Sequence, residues 1–112
     1  IQILKLTDAG KKYYTSLNLK TLKLPRAKNW DGLWRIILFD IPEHLKRALN
    51  IFAATLKRIG CLALQKSVFI YPHDCRNEIN QIIEVFELQS YVRFIVAKEI
   101  GIDSIFKDKF RL

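Results

Sequence analysis

The stretch Trp34-Arg35-Ile36-Ile37-Leu38-Phe39-Asp40-Ile41-Pro42 limits the possible folds more than any other part of the chain. Four apolar residues in a row, rich in β-branched and aromatic side chains, read as a strand covered on both faces. Asp40 ends the run, because an ionised carboxylate is not buried without a partner. Pro42 fixes the backbone where a helix can start. A doubly covered strand needs strand neighbours and at least one covering layer, so the rest of the chain has to supply both. Asp40 has two readings at this point: a cap on the following helix, or a carboxylate that handles a metal ion or a phosphate.

The covering elements follow at once. From Glu43 to Ile59, the residues Leu45, Leu49, Phe52, Leu56 and Ile59 recur at steps of three and four and form one apolar helix face, and Gly60 ends it. Cys61 to Leu64 is a short strand, Gln65-Lys66 a turn, and Ser67 to Tyr71 a second strand stopped by Pro72. Asp74 or Asn77 is expected to cap a second helix with the face Ile79, Ile82, Ile83 and Phe86. Tyr91 to Ala97 is the last strand, interrupted by Arg93. Asp103 to Phe110 reads as a short helix whose Ile105, Phe106 and Phe110 cover a sheet face or pack on a second copy of the chain. The order β-α-β-β-α-β predicts an α+β, ferredoxin-like two-layer sandwich with right-handed crossovers.

Charge separates the first quarter from the rest. The formal net charge is +8, and residues 1–30 hold seven of the nineteen Lys and Arg but one of the eleven acids. That balance points to a polyanionic partner, nucleic acid before membrane, met mainly by the N-terminal quarter. Ile1 to Leu6 suits a short edge strand, and Thr7 is placed to cap a helix starting at Asp8. Asn18 to Asn29 has no helical period and carries Lys20, Lys23, Arg26 and Lys28 with Pro25. It reads as a tether: either a phosphate-tracking arm or a solvated linker. Trp30-Asp31-Gly32 marks the turn into the main domain, with Trp30 and Trp34 expected to pin the tether to the core.

No run is long enough to span a membrane, and Cys61 and Cys75 read as free thiols of a cytoplasmic protein. The chain starts at Ile1 and contains no Met, so further sequence is expected upstream.

With these elements placed, residues 34–97 resemble the CRISPR-associated protein 2 family. The residues that carry the likeness are Phe39-Asp40-Ile41-Pro42, the basic helix after them, Gln65-Lys66-Ser67-Val68-Phe69 and Tyr91-Val92-Arg93. The N-terminal third does not fit that family and instead resembles the PaaX-like transcriptional regulators. Leu6-Thr7-Asp8-Ala9-Gly10 is similar to the end of a winged helix, though a plain strand-to-helix turn is the other reading. Trp30-Asp31-Gly32-Leu33-Trp34 is similar to the entry into the central domain of those regulators. The resemblance implies three segments: the end of a winged-helix DNA-binding domain at 1–17, a basic linker at 18–33, and a ferredoxin-like dimerisation domain with a C-terminal helix at 34–112.

What the resemblance implies about function is transcription regulation of repressor type. A homodimer formed through sheet edges would space two winged helices on a pseudo-palindromic DNA site. Lys11, Lys12, Lys20, Lys23, Arg26, Lys28, Lys46 and Arg47 are the expected phosphate contacts. This reading needs no cofactor and no catalysis.

The alternative is a magnesium-dependent endonuclease or CRISPR adaptation subunit. In that case Asp40 is both the catalytic residue and the metal ligand, since the CRISPR family implicates the equivalent aspartate in magnesium binding. One carboxylate cannot hold a hydrolytic magnesium ion alone, so Asp40 from two chains would have to share it. His44 and His73-Asp74-Cys75 match no zinc spacing, and His73 with Asp74 reads more simply as a turn and cap.

Overall fold

The structure is a computed structural model that describes residues 22–40 and 42–112. Strand β1 spans Trp34–Phe39, and a 3-10 turn at Glu43–Leu45 leads into helix α1, Lys46–Arg58. Strands β2 (Leu62–Gln65) and β3 (Val68–Tyr71) form a hairpin, followed by α2 (Arg76–Val85), β4 (Val92–Ala97) and α3 (Asp103–Phe110). The sheet order is β2-β3-β1-β4 and every pair is antiparallel. The result is an α+β fold compatible with the ferredoxin-like arrangement.

The register divides the side chains between two faces. Ile37 lies opposite Phe69 and Phe94, and Phe39 opposite Val92. With Tyr71 they meet Leu49, Phe52 and Leu56 of α1 and Ile79, Ile82 and Ile83 of α2. Phe39 meets Phe52 edge-on at 5.4 Å and stacks on Phe69 at 5.9 Å. The opposite face carries Trp34, Ile36, Leu38 and Ile70. There α3 delivers Phe106 onto Trp34 and Ile70, forming a second, smaller core. The short C-terminal helix thus covers a sheet face, one of its two expected roles. The cover is partial: Ile36 and Leu38 stay half-buried and Ile95 is exposed.

The three described α-helices end in the same hydrogen-bonded pattern, in which the last turn is closed by two crossed backbone bonds around a left-handed residue. After α1, Gly60 (φ +115) donates to Lys57 O, and Cys61 to Leu56 O. Glu87 (φ 55) and Arg111 (φ 59) take the same place after α2 and α3, where glycine would be the unstrained choice.

Several local expectations need correction. Asp40 does not cap the first helix: neither the 3-10 turn nor α1 has a side-chain cap, because the helix starts six residues beyond Asp40, after Leu45. Asn77 caps nothing; Asp74 accepts a bond from the Arg76 amide at 3.3 Å just ahead of α2, whose N-cap residue is Cys75. β2 starts at Leu62, since Cys61 is still engaged in ending α1. The expected end of a winged helix at 1–17, with Lys11, Lys12 and Lys20, lies outside the described residues.

Candidate functional site

The basic arm does not hang free where it is described. Leu24 is buried in the main core with Leu22 packed beside it, and the Tyr71 hydroxyl donates to Pro25 O at 2.9 Å. The arm therefore crosses the C-terminal end of β3 before turning into β1. At that turn the Trp30 Nε1–H donates to Leu33 O at 2.8 Å, and its ring lies 4.8 Å from that of Trp34. The two tryptophans pin the arm as expected.

The same turn holds a group that the sequence reading missed. The Arg35 guanidinium is buried and donates to both Asp31 carboxylate oxygens, at 2.7 and 2.9 Å, and to Pro72 O at 2.9 Å and Leu33 O at 3.1 Å. One arginine thus joins the arm's final turn to the end of β3. The bidentate pair holds the Asp31 carboxyl at about 2, well below the usual carboxylate range, and raises Arg35 in turn. The signal was present as an acid and an arginine four residues apart across a Gly turn. It went unread because an arginine at a strand start normally points to solvent.

The expected phosphate contacts fall into two groups. Lys23, Arg26 and Lys28 are exposed along the arm, and Lys23 and Arg26 line a cleft of about 400 Å³ between the arm and the end of α3. Lys46 and Arg47 sit on the first turn of α1, exposed beside Glu43 and His44, away from the arm. The structure does not bring the two groups together. Lys109 of α3 and Arg111 just after it complete the cleft, and sequence reasoning missed them because a helix end gives no hint of which segment it will meet.

Asp40 is exposed at the end of β1, and its amide donates to Tyr91 O at 3.0 Å. Among the described residues no three His, Cys, Asp or Glu side chains gather as metal ligands. Asp40 thus stands without two further such ligands gathered beside it among the described residues. His73, Asp74 and Cys75 diverge: His73 and Cys75 are buried, whereas Asp74 is exposed. Both cysteines are free, and burial raises their thiols, Cys75 to about 12, so they are protonated packing groups. No described helix is long and apolar enough to cross a membrane.

Fold and site together define an α+β sandwich domain entered by a docked basic arm. A family model described as "PaaX protein central Cas2-like domain" matches residues 27–105, and the chain belongs to that family. No curated protein and no solved structure matches the chain. The match begins after Arg26 and ends before Lys109, so the cations of the arm cleft lie on either side of it.

Proposed function

We propose that the chain is part of a DNA-binding transcriptional regulator of repressor type, working in the cytoplasm, in which the ferredoxin-like domain at 34–112 pairs two copies. Residues 1–17 close a winged helix and 18–33 form the linker that carries it. The observation that carries this reading is the family match beginning within the basic arm that leads into the domain. The sheet supports pairing. Its edges are β2 and β4, and the face beside α3 leaves Ile36, Leu38 and Ile95 incompletely covered. A second copy laid there would bury apolar surface and fix the spacing of two DNA readers.

In this role the arm binds phosphates without reading bases, so its affinity falls steeply with salt. Fluorescence anisotropy on a short DNA duplex across a salt series tests this. Arg26→Gln and Lys28→Gln are each expected to reduce the salt slope by about 1. Binding that does not respond to salt would contradict the proposal.

The exposure of Asp40, which caps no helix, favours a second reading: a magnesium-dependent nuclease in which two copies share an ion. Incubating wild type and Asp40→Asn with DNA or RNA and magnesium separates the two. Cleavage by the wild type that the variant loses would replace the regulator reading.

A further inference from the structure

The sheet face that α3 covers is left open at its far end. Phe106 and Phe110 pack over Trp34 and Ile70. Leu38, flanked by Val68 on β3 and Arg93 on β4, lies outside that cluster and is half-buried. The ladder runs one residue past β1, where the Asp40 amide donates to Tyr91 O at 3.0 Å. Side chains alternate along a strand, so Asp40 follows Leu38 on this face, diagonal to Arg93. The apolar patch of Ile36, Leu38, Val68 and Ile95 therefore carries one acid and one base at the same margin.

Both charged groups are exposed, and among the described residues neither makes an ion pair. Long side chains at diagonal positions can reach each other. Here the Arg93 guanidinium instead turns back onto the carbonyls of Val92 and Ser90, at 3.2 and 3.4 Å. Whatever covers the patch strips water from both charges, and an unpaired charge in a closed interface is costly. A partner seated here has to offer an acid to Arg93 and a base to Asp40. An apolar partner strands both charges, and a partner of one sign strands one. A second copy turned about a twofold axis offers both at once, because each residue of a pair then meets its counterpart twice.

We propose that two copies meet face to face on this patch, with Asp40 of each chain paired to Arg93 of the other. The inference rests on the pairing of domains proposed above and assigns its register: two ion pairs at the margin of the patch fix which way the second sheet lies. It also gives Asp40 a role that needs no metal ion.

The test is sedimentation equilibrium of the full 112-residue chain, with circular dichroism to show that each variant is folded. Asp40→Arg and Arg93→Asp each set like charges against each other across the axis. Each should weaken dimerisation about a hundredfold or more. The milder Asp40→Asn and Arg93→Gln, which remove a charge without reversing it, should weaken it about tenfold and serve if a reversal disturbs the fold. Mixing the two reversal variants is the sharpest arm. In the mixed dimer the native Arg93 of one chain meets the native Asp40 of the other, and the two introduced charges meet each other. The mixture should therefore sediment as a dimer although neither variant does so alone. Variants that dimerise as well as the wild type would overturn the paired charges and leave the pairing of domains standing. So would rescue by both changes in one chain without rescue by mixing, since the pair would then lie within a chain. A wild-type dimer that a chelator dissociates would put a metal ion between the two carboxylates instead. A wild type that remains a single chain at high concentration would remove the pairing reading and this inference with it.

Discussion

Arg35 shows how much one side chain can organise. Its side chain is 9% exposed whereas its partner Asp31 is 49% exposed, so the pair bridges core and solvent. Its Nε alone has no hydrogen-bond partner, and the other guanidinium nitrogens reach Asp31, Leu33 and Pro72. Removing the carboxylate leaves a buried cation with only carbonyl partners. Asp31→Asn is expected to cost about 1 kcal/mol, after the shift in its pKa is discounted for the carboxylate's exposure. Urea unfolding would measure the loss.

The sign of the pH dependence follows from the depressed Asp31 pKa. The folded state holds the proton less tightly than the unfolded chain, so the stabilisation is complete above about pH 4. It disappears as the pH falls towards about 2, and Asp31→Asn should flatten the stability profile in that window. His73 acts in the same direction at higher pH. Its lowered pKa leaves the unfolded chain binding more protons below about 6.5, so acidification below that value should destabilise the wild type more than His73→Gln. A sequence shows neither effect, since the first depends on two side chains meeting across a turn and the second on burial at the end of a strand.

At the scale of elements, the apolar periodicity was informative and the polar boundaries were not. Leu49, Phe52 and Leu56 of α1 and Ile79, Ile82 and Ile83 of α2 are all buried where their spacing places them. Val85, off that spacing, is buried as well, because α2 ends against the core rather than in solvent. The helix starts were harder to read, because none of the three described α-helices uses a side-chain cap bonded in the usual way. Capping residues are local signals, and here tertiary packing fixes the ends instead. At the other end, Glu87 is held left-handed without the freedom of glycine. Glu87→Gly should relieve more strain than it costs in chain entropy, a net gain of about 0.5 kcal/mol in thermal or chemical unfolding.

Helix α3 depends on contacts remote in sequence. Asp103 accepts the Trp34 Nε1–H at 2.8 Å and the amides of Ile100 and Gly101, and Phe106 fills the second core. Phe106→Ala should cost about 3 kcal/mol in unfolding free energy. Amide exchange in α3 should rise before that in α1, because the second core is small and holds only this helix.

For the whole molecule, the order β-α-β-β-α-β was legible because the apolar period alternates cleanly between two and nearly four residues. A strand doubly covered at the centre of the sheet follows from the run Ile36 to Phe39, and β1 does lie between β3 and β4. The arm was legible only as composition. Its spaced cations and single proline read as a tether, but Leu24 and Pro25 dock on the domain, and the cleft this creates depends on a helix about eighty residues away in sequence. Juxtaposition of that kind is a property of the fold and leaves no local pattern.

The central claim is that this domain pairs with itself, burying the part of the sheet that α3 leaves open. Sedimentation equilibrium of the wild type and of Ile95→Glu tests it most directly. Ile95 lies opposite Ile36 and is 42% exposed, so the added charge should leave the fold intact. The account predicts a wild-type mass of about twice the 13.2 kDa chain and a single-chain mass for the variant. A wild type that stays at the single-chain mass at high concentration would contradict it.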